Sequence, residues 1–219
     1  MDDTPGLPRA VWVGLGLMFG LLALAFFGSV MQVVRVQSRL NLPVLGPVAD
    51  FTLTNQDGQP VTLAALTNHA WVADIIFTRC AGPCPRMTGQ MKSLQDRLAD
   101  RPQVKLVTLT TDPEFDSPTV MKHYGEHFAA DFNRWTFLTG SKAGIAGLAG
   151  NSLKLSQLPV PAEQRKDAAD LFIHSTIFVA VDKHARLRGV FETGGDGVDW
   201  TNDIQPRLVR ALHQLDEEP

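Results

Sequence analysis

Cys80 and Cys84 are the only cysteines in the chain, and they stand in the stretch Phe77-Thr78-Arg79-Cys80-Ala81-Gly82-Pro83-Cys84-Pro85. A four-residue step within a helical turn brings two side chains to about 5–6 Å on one face. Two sulfurs that close can share one metal ion, or close a disulfide after a small adjustment. The N-terminus of a helix favours the thiolate that either chemistry needs. Pro83 and Pro85 suit a first helical turn, where a missing N–H costs little. Two cysteines exclude a four-cysteine zinc site and a disulfide-stapled miniature fold. The plainer alternative is a pair of buried cysteines acting as small hydrophobes.

A third donor would have to come from elsewhere, and six histidines are available: His69, His123, His127, His174, His184 and His213. His69 and His184 fall in predicted turns and His213 near the C-terminus, so all three read as solvated. His123 and His127 are four apart and could hold a metal on a helix, but two exposed histidines are the simpler reading. His174 opens the apolar run Thr176-Ile177-Phe178-Val179, where a lone imidazole is unexpected; ligand and satisfied core histidine are equally good readings. Met87 and Met91 follow Cys84 on one helical face and read better as a core stripe than as thioether donors. Asp112, Glu114 and Asp116 read as a solvated loop before a helix more readily than as a patch that steers a partner. Asp196, Asp199 and Asp203 lack the pattern of a calcium loop.

The elements that must position these residues follow from periodicity. Phe51–Thr54 and Val61–Leu63 flank Asn55-Gln56-Asp57-Gly58, a hairpin signal. Trp71–Phe77 and Val104–Leu109 are apolar runs long enough for buried strands, and between them Pro83–Leu98 carries Met87, Met91, Leu94 and Leu98 at helical steps. Ser117-Pro118 opens a further helix. Trp135–Leu138 predicts a short strand and Lys142–Ala149 a short helix. His174–Val181 and Leu187–Phe191 predict paired strands, and Asp203–Leu215 a closing amphipathic helix. The order hairpin, β, α, β, α, β-β, α predicts an α/β sheet of the thioredoxin-like type, covered on both faces.

Of 219 residues, 20 are Lys or Arg and 23 Asp or Glu, a formal net charge of -3, which gives no support to nucleic-acid binding. Residues 10–34 contain no charge and are rich in Leu, Phe, Val, Gly and Ala. That length predicts an uncleaved membrane anchor rather than a signal peptide. Residues 1–9 are then a short tail, 35–49 a tether containing Pro43, Gly46 and Pro47, and 50–219 one folded domain. Arg9 precedes the anchor while Arg35 and Arg39 follow it, so the charge count leaves orientation open.

Taken together, several stretches resemble the Sco (SenC) family, copper chaperones of cytochrome c oxidase assembly. Phe51 to Gly58 looks like the family's opening hairpin, and Cys80 through Cys84-Pro85 matches its Cys-x-x-x-Cys-Pro signature. Thr111-Asp-Pro-Glu-Phe-Asp-Ser-Pro118 resembles its Asp-Pro-Glu segment, and Trp135–Gly140 and His174-Ser-Thr176 match in order. The resemblance implies that Cys80, Cys84 and His174 ligate copper, as Cu(I) and also Cu(II), since soft thiolates suit Cu(I) and imidazole tolerates both states. It implies sulfurs near the surface that pass copper on by ligand exchange to a respiratory oxidase, at the dinuclear copper site of subunit II, after loading by an upstream copper donor. It also implies a single anchor with the domain on the periplasmic or intermembrane-space side. The short stretch before the anchor favours a bacterial inner membrane. Two positions depart from the family pattern: Ala81 where Pro usually follows the first cysteine, and Ile173 where Asp usually precedes the histidine, with Asp170 the nearest acid.

On these terms the protein is a carrier that turns over nothing. The enzyme reading is a thiol–disulfide oxidoreductase with Cys80 attacking and Cys84 resolving. Against it stand three residues between the cysteines instead of two, and Ile173-His174-Ser175 where thioredoxins place a cis-proline. A peroxiredoxin signature would need Pro and Thr where Ala73 and Phe77 stand. An interaction domain stapled permanently by the two cysteines is the remaining reading.

Overall fold

The charge-free run lies in one helix, α1 (Arg9–Gln37), 29 residues long. The computed structural model describes residues 9–37, 39–155 and 176–219. Within α1 the side chains of residues 12–14 and 17–28 are described, and taken by themselves they form no helix long and apolar enough to cross a membrane. Large apolar side chains on it are nonetheless exposed, in the manner of a helix that is apolar all round: Leu21, Leu24, Phe26 and Phe27 are about 70% exposed.

The chain from Leu42 to Pro219 forms a separate unit, built on β1 (Gly46–Pro47), β2 (Thr52–Asn55), β3 (Pro60–Thr62), β4 (Trp71–Ile76), β5 (Lys105–Thr110), β6 (Trp135–Thr139), β7 (Ile177–Val181) and β8 (Arg186–Glu192). They make one sheet in the order β1-β8-β7-β4-β5-β6-β2-β3. Among the described residues, four α-helices accompany it: α2 (Pro83–Arg97), α3 (Pro118–His127), α4 (Lys142–Ala146) and α5 (Gln205–Glu217). β4 runs parallel to β5, with Ile76 opposite Thr110, and antiparallel to β7, with Trp71 opposite Val181. The cysteine loop therefore leaves the sheet at one end, beside the exit of β5, while the β7–β8 turn lies at the other. This is the thioredoxin-like order of elements expected from the sequence.

All six residues of β4 are buried, as a central strand covered on both faces requires. Alternation divides them. Trp71, Ala73 and Ile75 join a core with Leu53, Val107, Leu138, Ile145 and Leu148, whereas Ile76 joins Phe77, Cys80 and Cys84. Met87 and Met91 are 1% and 0% exposed, so they are core residues of α2. The hairpin turn forms as predicted: Asn55 Oδ1 accepts from the backbone N–H of Asp57 and of Gln59, and Gly58 takes a φ of +75° that favours glycine.

The segment read as a tether has structure at its far end. Leu45 N–H donates to the Leu187 carbonyl and Val48 N–H to that of Ala185, and Gly46-Pro47 pairs with β8 as an edge strand. Proline is tolerated there because an edge leaves one side of the backbone without a ladder partner. Val48, at 5% exposure, belongs to the core. The short helix predicted over Lys142–Ala149 begins as α4, capped by the Ser141 hydroxyl on Gly144 N–H, and widens into a π-type turn over Gly147–Ser152.

Candidate metal centre

The chain turns sharply as it leaves β4. Cys80 N–H donates to the Phe77 carbonyl at 3.2 Å, which places Thr78 and Arg79 at the bend. Cys80 follows outside any helix, and its sulfur accepts a 3.4 Å hydrogen bond from Gly82 N–H. α2 then begins with Pro83 and Cys84. One turn further on, the Thr88 hydroxyl donates to the Cys84 carbonyl at 3.0 Å and lies 2.9 Å from the Tyr124 hydroxyl.

The two cysteines are brought together as thiols and not as a disulfide, and the Cys84 thiol hydrogen-bonds the Cys80 sulfur. That bond, with burial behind it, holds the Cys84 proton far above the ordinary thiol range, against a lowering hydrogen bond from the Phe77 backbone. The helix N-terminus was expected to favour thiolate; at Cys84 it is overridden. The side chain faces inward at 1% exposure, and a second sulfur, rather than solvent, is its neighbour. The expectation of sulfurs near the surface is corrected in the same way. Cys80 is only 5% exposed, although Ala81, Gly82, Pro85 and Arg86 around the pair are exposed.

Beneath the pair lies a carboxyl that the sequence did not single out. Asp74, in the middle of β4, is fully buried; one oxygen accepts from the Thr108 hydroxyl at 2.7 Å and the other has no hydrogen-bond partner among the described residues. Thr108 Oγ1 in turn accepts from the Trp135 indole N–H at 2.9 Å. Burial pushes the Asp74 pKa up to about 7. Burial also raises that of Tyr124, with the Thr88 hydrogen bond opposing it.

The acidic triplet is not a solvated loop. Asp116 is 0% exposed: it accepts the Thr78 N–H at 3.1 Å and the Thr110 hydroxyl at 2.5 Å, and the Thr78 hydroxyl bonds its other oxygen. Asp112 N–H donates to Thr110 Oγ1 at 2.9 Å, and the Asp112 carboxylate pairs with Arg79 at 2.5 Å. The Arg79 guanidinium also lies 4.1 Å over the ring of Phe115. Only Glu114 faces solvent, paired with Lys142. The signal for this was that Thr78 and Thr110 each directly follow a predicted buried strand, Trp71–Phe77 and Val104–Leu109.

Among the described residues no group of three His, Cys, Asp or Glu side chains could hold a metal ion. His123 and His127 are exposed, the first with Nδ1 2.9 Å from the Thr119 carbonyl and the second edge-on to Phe128. His69 lies on the Gln103 carbonyl, His184 on that of Pro219, and His213 3.7 Å from Asp100. Asp199 caps the turn at Trp200 by accepting Asn202 N–H. His174, with Asp170 and Ile173, lies outside the described residues.

The described chain resumes at Thr176, two residues beyond His174, and there it is firmly attached. Its carbonyl accepts from Thr193 N–H at 2.7 Å and from the Thr193 hydroxyl at 2.9 Å, while its own hydroxyl donates to the Gly194 carbonyl at 3.1 Å. Gln90 of α2 donates to the Thr193 carbonyl at 2.9 Å. Gly194 is packed so closely under Arg86 that a Cβ there would stand 2.0 Å from the guanidinium. The start of β7 is therefore bound to the helix that carries Cys84.

Residues 46–208 match the SCO1/SenC family model. The SCO1 protein homolog of Bacillus subtilis is 36% identical over 147 residues, which cover 66% of this chain and 73% of that protein. BsSco, described as a member of the Sco family of cytochrome c oxidase assembly proteins and as having a disulfide switch, superimposes with a TM-score of 0.66 at 26% identity, covering 82% of this chain and all of that one. ScoI of Bradyrhizobium japonicum, solved with copper bound, shares the fold at a TM-score of 0.62 and 22% identity, over 77% of this chain and 99% of that one. With a thioredoxin-like unit, a paired-cysteine loop at the exit of its central strand, and a family match over most of its length, the chain belongs to the SCO1/SenC family.

Proposed function

We propose that this protein binds copper between Cys80, Cys84 and His174 and hands it to a respiratory oxidase, at the dinuclear copper site of subunit II. The observation that carries the reading is the pair of adjacent, disulfide-unlinked sulfurs at the exit of β4 in a chain of this family. Soft donors of that kind suit Cu(I). Two sulfurs leave a third position open, and His174 is two residues from Thr176, a reach of about 7 Å at most along an extended chain. Since Thr176 is tied through residues 193 and 194 to α2, an imidazole at 174 is within reach of the helix that carries Cys84. Copper is cargo here, so the chain's own task is to hold it and to release it by ligand exchange.

The anchor, residues 10–34, would hold the domain at a bacterial inner membrane with residues 50–219 on the periplasmic side. Its support is the absence of charge over 25 helical positions and the exposure of its large apolar side chains. Thiol–disulfide exchange by Cys80 and Cys84 is the second reading, favoured by the same paired sulfurs.

The test is a strain lacking the gene, grown at limiting copper. Oxidase activity and the spectrum of the subunit II copper site should fall, return with the full chain or with added copper, and not return with Cys80→Ser. Undiminished oxidase in the deletion strain contradicts the assignment.

A further inference from the structure

Cys84 is placed by a helix, but Cys80 is not. It sits in the loop before α2, at the end of the turn from Phe77 to Cys80 that a 3.2 Å backbone hydrogen bond closes. At the bend of that turn Thr78 is held twice by Asp116, through its backbone N–H and through its hydroxyl. Asp116 is held in turn by the Thr110 hydroxyl from the last residue of β5. Thr110 also accepts Asp112 N–H, and Asp112 reaches back to Arg79, the residue next to Cys80. Thr111 N–H completes the contact by donating to the Ile76 carbonyl at 2.9 Å. The loop after β5 thus grips the loop after β4 at two consecutive residues, Thr78 and Arg79, immediately before the first cysteine.

The two grips differ. The Arg79–Asp112 pair is partly open to water, with Arg79 45% exposed, and exposed pairs contribute little. Asp116 is wholly buried, and three donors converge on its two oxygens. Buried multiple hydrogen bonds of this kind define geometry closely, because leaving a donor unpaired there is costly.

We infer that Asp116 is a positioning residue for Cys80: by clamping Thr78 it sets where the first sulfur stands relative to the second, and so tunes the pair for disulfide formation and copper ligation. The copper part of this statement rests on the proposed function above, whereas the disulfide part does not. In disulfide formation Cys80 and Cys84 each lose a proton and together two electrons, and glutathione disulfide takes both up as two molecules of glutathione.

The experiment measures the equilibrium constant of the full-length chain's Cys80–Cys84 pair against a glutathione buffer, for the wild type, Asp116→Asn and Asp182→Asn. Asp182 is a second buried, multiply bonded aspartate, at the opposite end of the sheet, and serves as the control for general loosening. The inference expects the constant to change about tenfold in Asp116→Asn, equivalent to about 30 mV, and to stay at the wild-type value in Asp182→Asn. A change in Asp116→Asn no larger than that in Asp182→Asn overturns it. Should Asp116→Asn fail to fold, Thr78→Val against Thr78→Ser makes the same comparison: loss of the hydroxyl should shift the constant and its retention should not, and equal values for the two overturn the inference. A wild-type chain that binds no Cu(I) but shows the Asp116 effect would defeat the proposed function alone.

Discussion

Each end of the sheet is closed by a buried aspartate, and the two are held by opposite chemistry. At the β7–β8 turn Asp182, 1% exposed, accepts His184 N–H, Arg186 N–H, Arg186 Nε and Arg188 Nη1 at 2.8–3.0 Å. Arg188 extends the network to Glu218 at 2.6 Å and to the Leu42 carbonyl at 2.9 Å. Burial pushes the Asp182 pKa up, but the bonds from Arg188 and Arg186 together bring it below the usual carboxylate range. At the cysteine end, Asp116 takes its hydrogen bonds from hydroxyls and one amide. Burial prevails there, and its pKa is raised. Asp74 shows the same behaviour more strongly. One end uses charge pairing to fasten the chain's two termini of the unit. The other gives Asp74 and Asp116 neutral donors and keeps its guanidinium, Arg79, for the half-open pair with Asp112 beside the thiol loop.

The largest effect should come from removing the cation at the fastened end. Arg188→Met leaves Asp182 and Glu218 without their shared partner and should destabilise by about 3–5 kcal/mol, read by urea unfolding, with the glutathione equilibrium of the cysteines unchanged. A loss below 1 kcal/mol would remove the contrast between the two ends.

Next is Asp74→Asn. An acid whose folded pKa is raised favours folding below its unfolded pKa, and that advantage is lost as pH rises through the folded value. For Asp74 the window runs from about pH 4 to about pH 7. The wild type should lose stability across it, by at most about 4 kcal/mol for a shift of roughly three units, and the asparagine variant should be flatter and more stable above pH 7. Parallel unfolding curves for the two proteins from pH 4 to 8 would show that Asp74 is not the buried acid described here.

Asp182 has the opposite sign. Its folded pKa is lowered, so its stabilisation is present above the unfolded pKa and disappears as pH falls below about 4. Asp182→Asn should therefore lose part of the acid-side slope seen in wild-type melts. The smallest effect belongs to the exposed Arg79–Phe115 contact: Phe115→Ala should cost less than about 1 kcal/mol. A larger loss would mean that this contact, and not Asp116, holds the cysteine loop.

Much of this architecture was legible in the sequence because it is periodic. β4 and β5 are nearly continuous apolar runs, α2 carries its core residues at helical steps, and Ser117-Pro118 caps α3 with the Ser117 hydroxyl on Val120 N–H. That the two cysteines meet was legible from their closeness in sequence, although Cys80 stands in the loop before α2 and not in the helical turn that the four-residue step assumed. The carboxylates were not. Asp112 and Asp116 sit in a polar stretch that looks like any solvated loop, and their partners Thr78, Arg79 and Thr110 lie 6 to 38 residues away. Side-chain contacts across adjacent strand ends leave no period in the sequence. Asp74 was hidden differently, as one polar residue in an apolar strand, and its meaning depends on Thr108 across the ladder. Burial of the sulfurs was also missed, since exposed Ala81 and Gly82 do not reveal that the cysteines beside them turn inward.

The most direct test of the central claim is the copper stoichiometry of the purified full-length chain, reduced and anaerobic, in competition with a Cu(I) chelator. The account predicts one tightly held Cu(I) per chain, lost in Cys80→Ser, Cys84→Ser and His174→Ala, with the Cys80–Cys84 disulfide still able to form in His174→Ala. Binding by His174→Ala as tight as that of the wild type would contradict the three-donor site, and a reduced, folded chain that holds no copper would contradict the assignment as a copper carrier.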